Sequence, residues 1–367
     1  MKPIAIKEVC EVYDGPHATP KKTDNGPVYL GIDAITEDGM LDPSQFAHLS
    51  EEDYVKWTKR VTPQENDIVF SYEATLGRYA VIPKNFYGCL GRRLAIVRII
   101  NDELNAKWLY YYFRSPEWTS FIKNQTVKGS TVDRISIEEF PEYTIPVISL
   151  EDQNKIVDVL DKIDRKIADN KKINDYLEQQ ALLIFRYMFK NISNGSNHVG
   201  DYITPKRGKA LLSKDAIPGQ FPVIAGGLLP ATYHNRANTV APVLTISGSG
   251  ANAGYVNIWH DPIWSSDSSF IDYEMTTNVY FWYAFLKLRQ QDIFDIQTGS
   301  AQPHIYPKHI AELSIGNIDR FQIASYITQV TPLFTKAGAN IRETKRLQQL
   351  RDWLLPMLMN GQVTIED

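Results

Sequence analysis

The feature that most constrains this chain is an internal repeat at a constant offset of 170 residues. With Gly129-Ser130 set over Gly299-Ser300, the register holds without a gap to the end of an amphipathic helical stretch. Ile135 falls on Ile305, Glu142 on Glu312, Ile145 on Ile315, Lys166 on Lys336, Asn170 on Asn340, Leu177 on Leu347 and Gln179 on Gln349. Apolar character persists where identity fails, as in Val157 with Ile327, Leu160 with Val330, Ile184 with Leu354 and Met188 with Leu358. Upstream, Glu8 to Gly15 matches Asp201 to Gly208 at an offset of 193, so the first copy carries 23 additional residues. Two copies of one unit imply two similar sites in one polypeptide, related by approximate symmetry.

Each copy ends in a heptad pattern. Ile156, Leu160, Ile163, Ile167, Asn170, Asn174, Leu177, Ala181, Ile184 and Met188 alternate at spacings of four and three, which predicts a helix over residues 151–189. At roughly 1.5 Å per residue it is about 57 Å long. Ser149 or Glu151-Asp152 supplies capping chemistry, and Gly195 with its polar neighbours ends it. The second pattern spans 321–358 on Tyr326, Val330, Leu333, Ala337, Asn340, Thr344, Leu347, Leu354 and Leu358, and Pro332 and Pro356 are expected to kink or break it.

Upstream of each helix the chain shows short strand-like runs broken by turn residues. Asn66 to Ser71, Arg78 to Ile82 and Leu94 to Ile100 are expected strands in the first copy, the last apolar enough to be buried on both faces. Trp108 to Phe113 and Trp118 to Ile122 are expected short helices. In the second copy Pro242 to Ser247 answers the first strand, and Val279 to Leu286 the aromatic helix. The expected fold is α+β, with domains at 1–148 and 193–318 and spacer helices at 149–192 and 319–367. The second helix buries its stripe most simply by running back along the first. That gives an antiparallel pair, a coiled coil, with a globular domain at either end. Asn170 and its repeat-mate Asn340 either meet near the pseudo-twofold axis, fixing register, or stand solvated on an underwound stretch.

At 367 residues, 43% hydrophobic and 22% charged, the composition is that of a soluble globular protein. No apolar run reaches the roughly 18 residues of a membrane helix, and the N-terminal residues lack a signal-peptide core, so a cytoplasmic location without membrane contact is expected. Cys10 and Cys89 read as free thiols. The net charge of −4 comes from the first 150 residues, which carry 17 basic and 21 acidic side chains; the remainder is balanced. Long-range steering onto DNA by this chain alone is therefore weak.

No catalytic constellation emerges. Gly248-Ser249-Gly250-Ala251-Asn252-Ala253-Gly254 is spaced one residue away from a dinucleotide loop and precedes a strand, not a helix, so it reads as a tight polar turn. His304 and His309 are separated by Pro307 with no carboxylate pair nearby, which argues against a metal. There is no phosphate-binding loop, nucleophile elbow or Asn-Pro-Pro-aromatic motif. The chain reads as a binder, and no metal or cofactor is assigned to it. Local basic and polar clusters suit phosphate and base-edge contacts. In the first copy these are Lys21, Lys22, Arg92, Arg93, Lys128, Ser130 and Arg134. In the second they are Lys206, Arg207, Lys209, His234, Asn235, Arg236, Ser300, Gln302, His304 and Lys308. Ordinary solvated surface is the competing reading for each; the paired Gly-Ser loops stand out because both copies keep them beside basic or polar residues.

Residues 145–167, from Ile145-Pro146-Val147 through Asp164-Arg165-Lys166-Ile167, resemble the junction after a recognition domain in specificity (S) subunits of type I restriction-modification systems. The tail Leu350-Arg351-Asp352-Trp353-Leu354-Leu355-Pro356 to Val363 resembles that family's C-terminal signature, and the plan of two domains and two helices matches as well. The resemblance implies a non-catalytic subunit with two target recognition domains, each reading half of a split double-stranded DNA target, with the helices fixing the gap. It implies docking of two methyltransferase (M) subunits, which bring S-adenosylmethionine, and of restriction (R) subunits, which use ATP and magnesium. Phe185 to Asn191 departs from the Leu-Leu-Pro form of the tail, so equal docking at the two helix ends is not implied. An enzyme in its own right, or a scaffold or decoy without sequence reading, are the alternative classes.

Overall fold

A computed structural model describes residues 2–129, 132–299, 301–363 and 365. The chain divides into two compact units, Met1–Arg165 with Leu347–Asp367, and Lys166–Arg346. Both cuts fall within long helices, Leu150–Met188 and Arg320–Met359, so each unit combines a sheet-rich part with a segment of both helices.

In the first unit a four-stranded antiparallel sheet runs Cys10–Asp14, Leu94–Ile99, Ile68–Ser71, Tyr79–Val81. The Leu94–Ile99 strand is buried on both faces as expected, because alternate residues join different clusters. Ala95 and Val97 pack with Phe70, Trp108, Phe113, Trp118 and Phe140, while Leu94 and Ile96 pack with Leu30, Ile35 and Ile82 on the other side. A three-stranded sheet (Ala47–His48, Thr23–Leu30, Gly88–Leu90) covers that second face, and Lys2–Ala5 pairs with Thr144–Val147. The aromatic helix Ala106–Phe113 is capped by Asn105, whose side chain accepts from the Lys107 and Trp108 amides. Buried Gln153 joins it to the start of the long helix, accepting from the Asn105 amide at 2.8 Å and donating to Glu103 and Ile148 carbonyls at 2.9 Å.

The second unit repeats the topology strand for strand. Its four-stranded sheet is Lys206–Arg207, Ser268–Asp272, Val243–Ser247, Val256–Trp259; its three-stranded sheet is Thr232–His234, Phe221–Ile224, Trp264–Ser265; and Asn197–His198 pairs with Ser314–Ile315. The register agrees residue for residue. Asp14 faces Ala95 as Arg207 faces Ser269, and Phe70 faces Ala95 as Ile246 faces Ser269. The offset thus falls from 193 at Asp14/Arg207 to 176 at Phe70/Ile246, which places most of the additional residues around the helix Glu51–Trp57.

Within each unit the long helices run antiparallel. In the second, Asn170 bonds Glu343, Asn174 bonds Asn340, and Tyr326 donates to the Ala181 carbonyl. In the first, Asp164 pairs with Arg351 at 2.8 Å, and Ile156 and Leu160 share a core with Leu355, Leu358 and Met359. Ser149 caps the first helix through the Asp152 amide, and Asp319 caps the second through that of Phe321.

Three expectations are corrected. Of the two outcomes expected at Pro332 and Pro356, the break does not occur: the second helix runs continuously over Arg320–Met359. A proline in a helix interior costs about 3 kcal/mol, and here buried Val330 and Phe334, and Leu355 and Leu358, anchor the helix on both sides of each proline. The Asn170 and Asn340 side chains are not solvated, nor are they bonded to one another. Both are buried, Asn170 donating to Glu343 (2.9 Å) and Asn340 to Asn174 (2.9 Å) on the opposite helix. Finally, the heptad line drifts in the second unit, where Ala181, Phe185, Phe189, Val330 and Phe334 are buried while Ile184 and Leu333 are half-buried. Phe185 and Phe189 turn inward because they pack against Phe281 and Tyr326, so the helix buries a face towards the aromatic helix Val279–Leu288 as well as towards its partner helix. Of the other heptad positions, Ile156, Leu160 and Ile163 are buried, and Ile167, Leu177, Leu347 and Leu354 are half-buried.

Candidate nucleic-acid interface

The loop after the second short helix of unit 1 closes on itself through a two-way backbone bridge. The Val127 amide donates to the Arg134 carbonyl at 2.9 Å, and the Arg134 amide donates back at 3.1 Å. Inside it, a Cβ on Gly129 would lie 2.1 Å from the Val132 carbonyl oxygen, so only glycine lets the loop turn this tightly. Arg134 also bridges Glu73 on the sheet, and the Ile135 amide donates to the Tyr72 carbonyl at 2.8 Å, tethering the loop to the end of the Ile68–Ser71 strand. Arg93 holds a left-handed backbone (φ 74°), its carbonyl accepts from Tyr72, and its side chain pairs with Glu73 at 3.3 Å. Asp14, at the end of the neighbouring strand, pairs with Arg60 at 2.6 Å and with His17.

Unit 2 builds the same object with other side chains. Thr298 and His304 exchange backbone bonds of 3.0 and 2.8 Å, Ser249 bridges His304, and the Ile305 amide donates to Gly248 at 3.0 Å. Gly299 has φ 94°, and a Cβ there would lie 2.4 Å from the Gln302 carbonyl. The Gly248 amide donates to Asp267 as Tyr72 does to Arg93, and Gly208 to Ser268 as Gly15 does to Leu94. Four backbone positions are thereby equivalent: Asp14 with Arg207, Glu73 with Ser249, Arg93 with Asp267, and Arg134 with His304. Arg207 pairs with Asp267, which also accepts from the Ser249 hydroxyl. The Arg207 guanidinium lies over the Tyr306 ring at 5.9 Å, and His304 stacks on the same ring. Burial and the neighbouring Lys308 hold the His309 pKa below its ordinary value.

A family model described as the type I restriction modification DNA specificity domain matches residues 1–179. The matched segment ends inside the first long helix, and the remaining residues reproduce its topology. Residues 1–179 thus carry a type I restriction-modification DNA specificity domain. It is 23% identical over 361 residues to the type I restriction enzyme MjaIX specificity subunit of Methanocaldococcus jannaschii, covering 87% of this chain and 82% of that relative. It is 28% identical over 123 residues to a putative specificity subunit of Haemophilus influenzae, covering 32% of this chain and 29% of that protein. The fold matches the crystal structure of the S subunit from M. genitalium with a TM-score of 0.57 at 19% identity, covering 97% and 95% of the two chains. Specificity subunits are non-catalytic. The described helices include none long and apolar enough to cross a membrane.

In this chain the residues nominated from sequence separate into those the loops gather and those they do not. Arg93, Lys128 and Arg134 lie together in unit 1, with exposed Arg92 next to Arg93; Arg207, Gln302, His304 and Lys308 lie around the second loop. Ser130 and Ser300 fall outside the described residues. Lys21 and Lys22 are exposed ahead of the Thr23–Leu30 strand. Lys206 is exposed beside Arg207, and Lys209 follows Gly208, bonded through its amide to Ser265. Exposed Asn235 and Arg236 lie beyond the strand Thr232–His234 of the other sheet. His234 is buried, accepting from the Ile217 amide and packing edge-on against Trp264, and so serves the core. Sequence reasoning missed Glu73, Ser249, Asp267 and Tyr306. A search for cations passes over the acids that hold them, and only the strand register reveals that Asp267 stands where Arg93 does.

Proposed function

We propose that this chain is the DNA-reading subunit of a type I restriction-modification complex, in which each unit reads one half of a bipartite target. The observation that carries this reading is the equivalence of the two glycine loops, tethered to the same strand ends by the same hydrogen bonds but dressed with different side chains. One backbone used twice with altered donors and acceptors is what two distinct half-sites require, because the major groove offers each base pair a distinct pattern of such groups. The two long helices, which pass from one unit into the other along the chain, set the number of base pairs between the halves and dock two methyltransferase subunits, joined by restriction subunits. S-adenosylmethionine, ATP and magnesium belong to those partners, and the complex works in the cytoplasm. Phosphate contacts from the partners supply the non-specific affinity that a chain of net charge −4 lacks.

The test is to coexpress the full chain with its methyltransferase subunits in a host without adenine methylation and map the modified adenines. A split motif is expected. Replacing residues 1–145 with the matching segment of another specificity subunit then changes one half only; a contiguous motif, or a change in both halves, refutes the reading.

A further inference from the structure

Each unit joins two of the shared nodes beside its glycine loop by an arginine–carboxylate pair, but not the same two; unit 1 has a further pair between the node residue Asp14 and Arg60, which lies outside the nodes. In unit 1 the acid is Glu73 and the arginine Arg93; in unit 2 the acid is Asp267, at the Arg93 position, and the arginine is Arg207, at the Asp14 position. All four side chains are partly exposed, 30% for both members of the first pair and 37% and 38% for those of the second. Pairs so exposed add little to stability, so folding does not explain why the pair is rebuilt one node along. Nor does phosphate binding, which a carboxylate opposes.

We propose that Glu73 and Asp267 are the specificity-determining residues of the two units, each working with its arginine. The inference rests on the proposed reading of split DNA. A carboxylate is an acceptor only, and in the major groove the donors it can meet are the amino groups of cytosine N4 and adenine N6. The arginine it holds keeps further N–H groups for guanine O6 and N7. Each unit therefore reads a guanine through the arginine and an adjacent amino-bearing base through the acid. Because the pair lies one node farther from the loop in unit 2, these two bases keep their order in both halves but are displaced relative to the loop. Ser249 donates to one carboxylate oxygen of Asp267 while Arg207 holds the other, which together fix the plane of the carboxylate; unit 1 has Glu73 itself at the Ser249 node.

The test uses the full chain with its methyltransferase subunits, comparing adenine methylation maps and binding to oligonucleotides in which each target base is varied in turn. Glu73→Gln is expected to cut discrimination at one base of one half about tenfold or more, leaving the other half intact. Asp267→Asn does the same to the opposite half. Glu52→Gln, which breaks the exposed pair with Lys56 far from the loop along the chain, changes neither. Two results overturn the inference: variants that keep every base preference, or variants whose affinity changes equally for all sequences with an altered salt dependence, which would make the acids part of phosphate contact. If one variant fails to fold, the other, in a separate unit, still decides. A wild-type map without a split motif sinks the functional reading itself; a split motif untouched by both variants sinks only this inference.

Discussion

Gly299→Ala is the sharpest probe of the loop as a reading device. An alanine at φ 94° incurs left-handed strain of about 1–2 kcal/mol. The added methyl would also lie 2.4 Å from the Gln302 carbonyl, a backbone atom that moves only if the loop does. The cheaper response is to open the bridge between Thr298 and His304. That forfeits two hydrogen bonds of 3.0 and 2.8 Å, about 1–3 kcal/mol together and nearer the lower end where water replaces them. A unit of this size loses roughly 2–4 °C of melting temperature per kcal/mol, so a fall of about 2–6 °C is expected. His304 and Gln302 lose their fixed positions, and recognition of the half-site read by unit 2 weakens about tenfold or more. Gly250→Ala is the control: φ is 82° but nothing lies within 4 Å of the added carbon, so it carries the strain without moving the loop. Thermal denaturation, amide exchange at Thr298 and His304, and binding to half-site variants read the three effects. If Gly299→Ala kept both amides protected and the base preferences unchanged, the loop would not be what the reading depends on. If Gly250→Ala abolished the reading as well, strain and displacement would not be separable and the argument would fail.

Other consequences follow from particular contacts. Burial pushes the His260 pKa down to about 4, with Asp261 opposing and Arg342 reinforcing the shift. The unfolded chain, with a histidine pKa near 6.5, then binds the extra proton first, so stability is full above about pH 6.5 and falls towards pH 4 by up to about 3 kcal/mol. Urea unfolding at pH 7.5 and 5 should show this, and His260→Gln should flatten the difference; equal slopes with and without the histidine count against it. Asn340→Leu strands the Asn174 carbonyl oxygen and should cost about 1–3 kcal/mol, whereas Asn170→Leu removes a buried oxygen without a hydrogen-bond partner and releases only the partly exposed Glu343 carboxylate, which water can serve, so it should cost less; denaturant midpoints in the reverse order contradict the contacts. Inserting four residues within 165–180 of the first long helix should change the gap in the methylated motif and leave the half-sites intact, so an unchanged gap refutes the spacer role.

Much of this was legible in the sequence because the repeat carries its own cross-check. The 170-residue offset holds from Gly129 onwards, and Ile135 and Ile305 are both buried under their loops. Strands such as Leu94–Ile99 were readable from apolar runs, since burial on both faces leaves no polar alternation to confuse the period. The heptad line was readable only where the helices pack mainly on each other. Where Phe185 and Phe334 turn towards the helix Val279–Leu288, each long helix serves two neighbours, and a single 4-3 stripe no longer describes its buried surface. Pro332 and Pro356 do not break the second helix, because tertiary burial on both sides of each overrides local propensity. The small three-stranded sheets went unseen, as five of their six strands have only two to four residues, too few for a period, and the sixth, Thr23–Leu30, carries Gly26-Pro27 in its middle.

What the sequence hides most completely is also what matters most for reading DNA. Equivalence between Asp14 and Arg207, or Arg93 and Asp267, cannot be found by looking for similar residues, because the chemistry at those nodes differs. It emerges only from hydrogen bonds that involve no side chain: Gly15 to Leu94 and Gly208 to Ser268, Tyr72 to Arg93 and Gly248 to Asp267. Backbone bonds and buried apolar residues carry the fold, so the four nodes are released from any duty to it. Side chains there can change from acid to base without altering the loop that presents them. A scaffold of that kind can acquire a new half-site by substitution at a few exposed positions while the core, the glycines and the helices stay as they are. The same logic says where tolerance ends: an acid exchanged for its amide at a node should relax recognition at one base, whereas one methyl added at Gly129 or Gly299 should weaken recognition of the whole half-site.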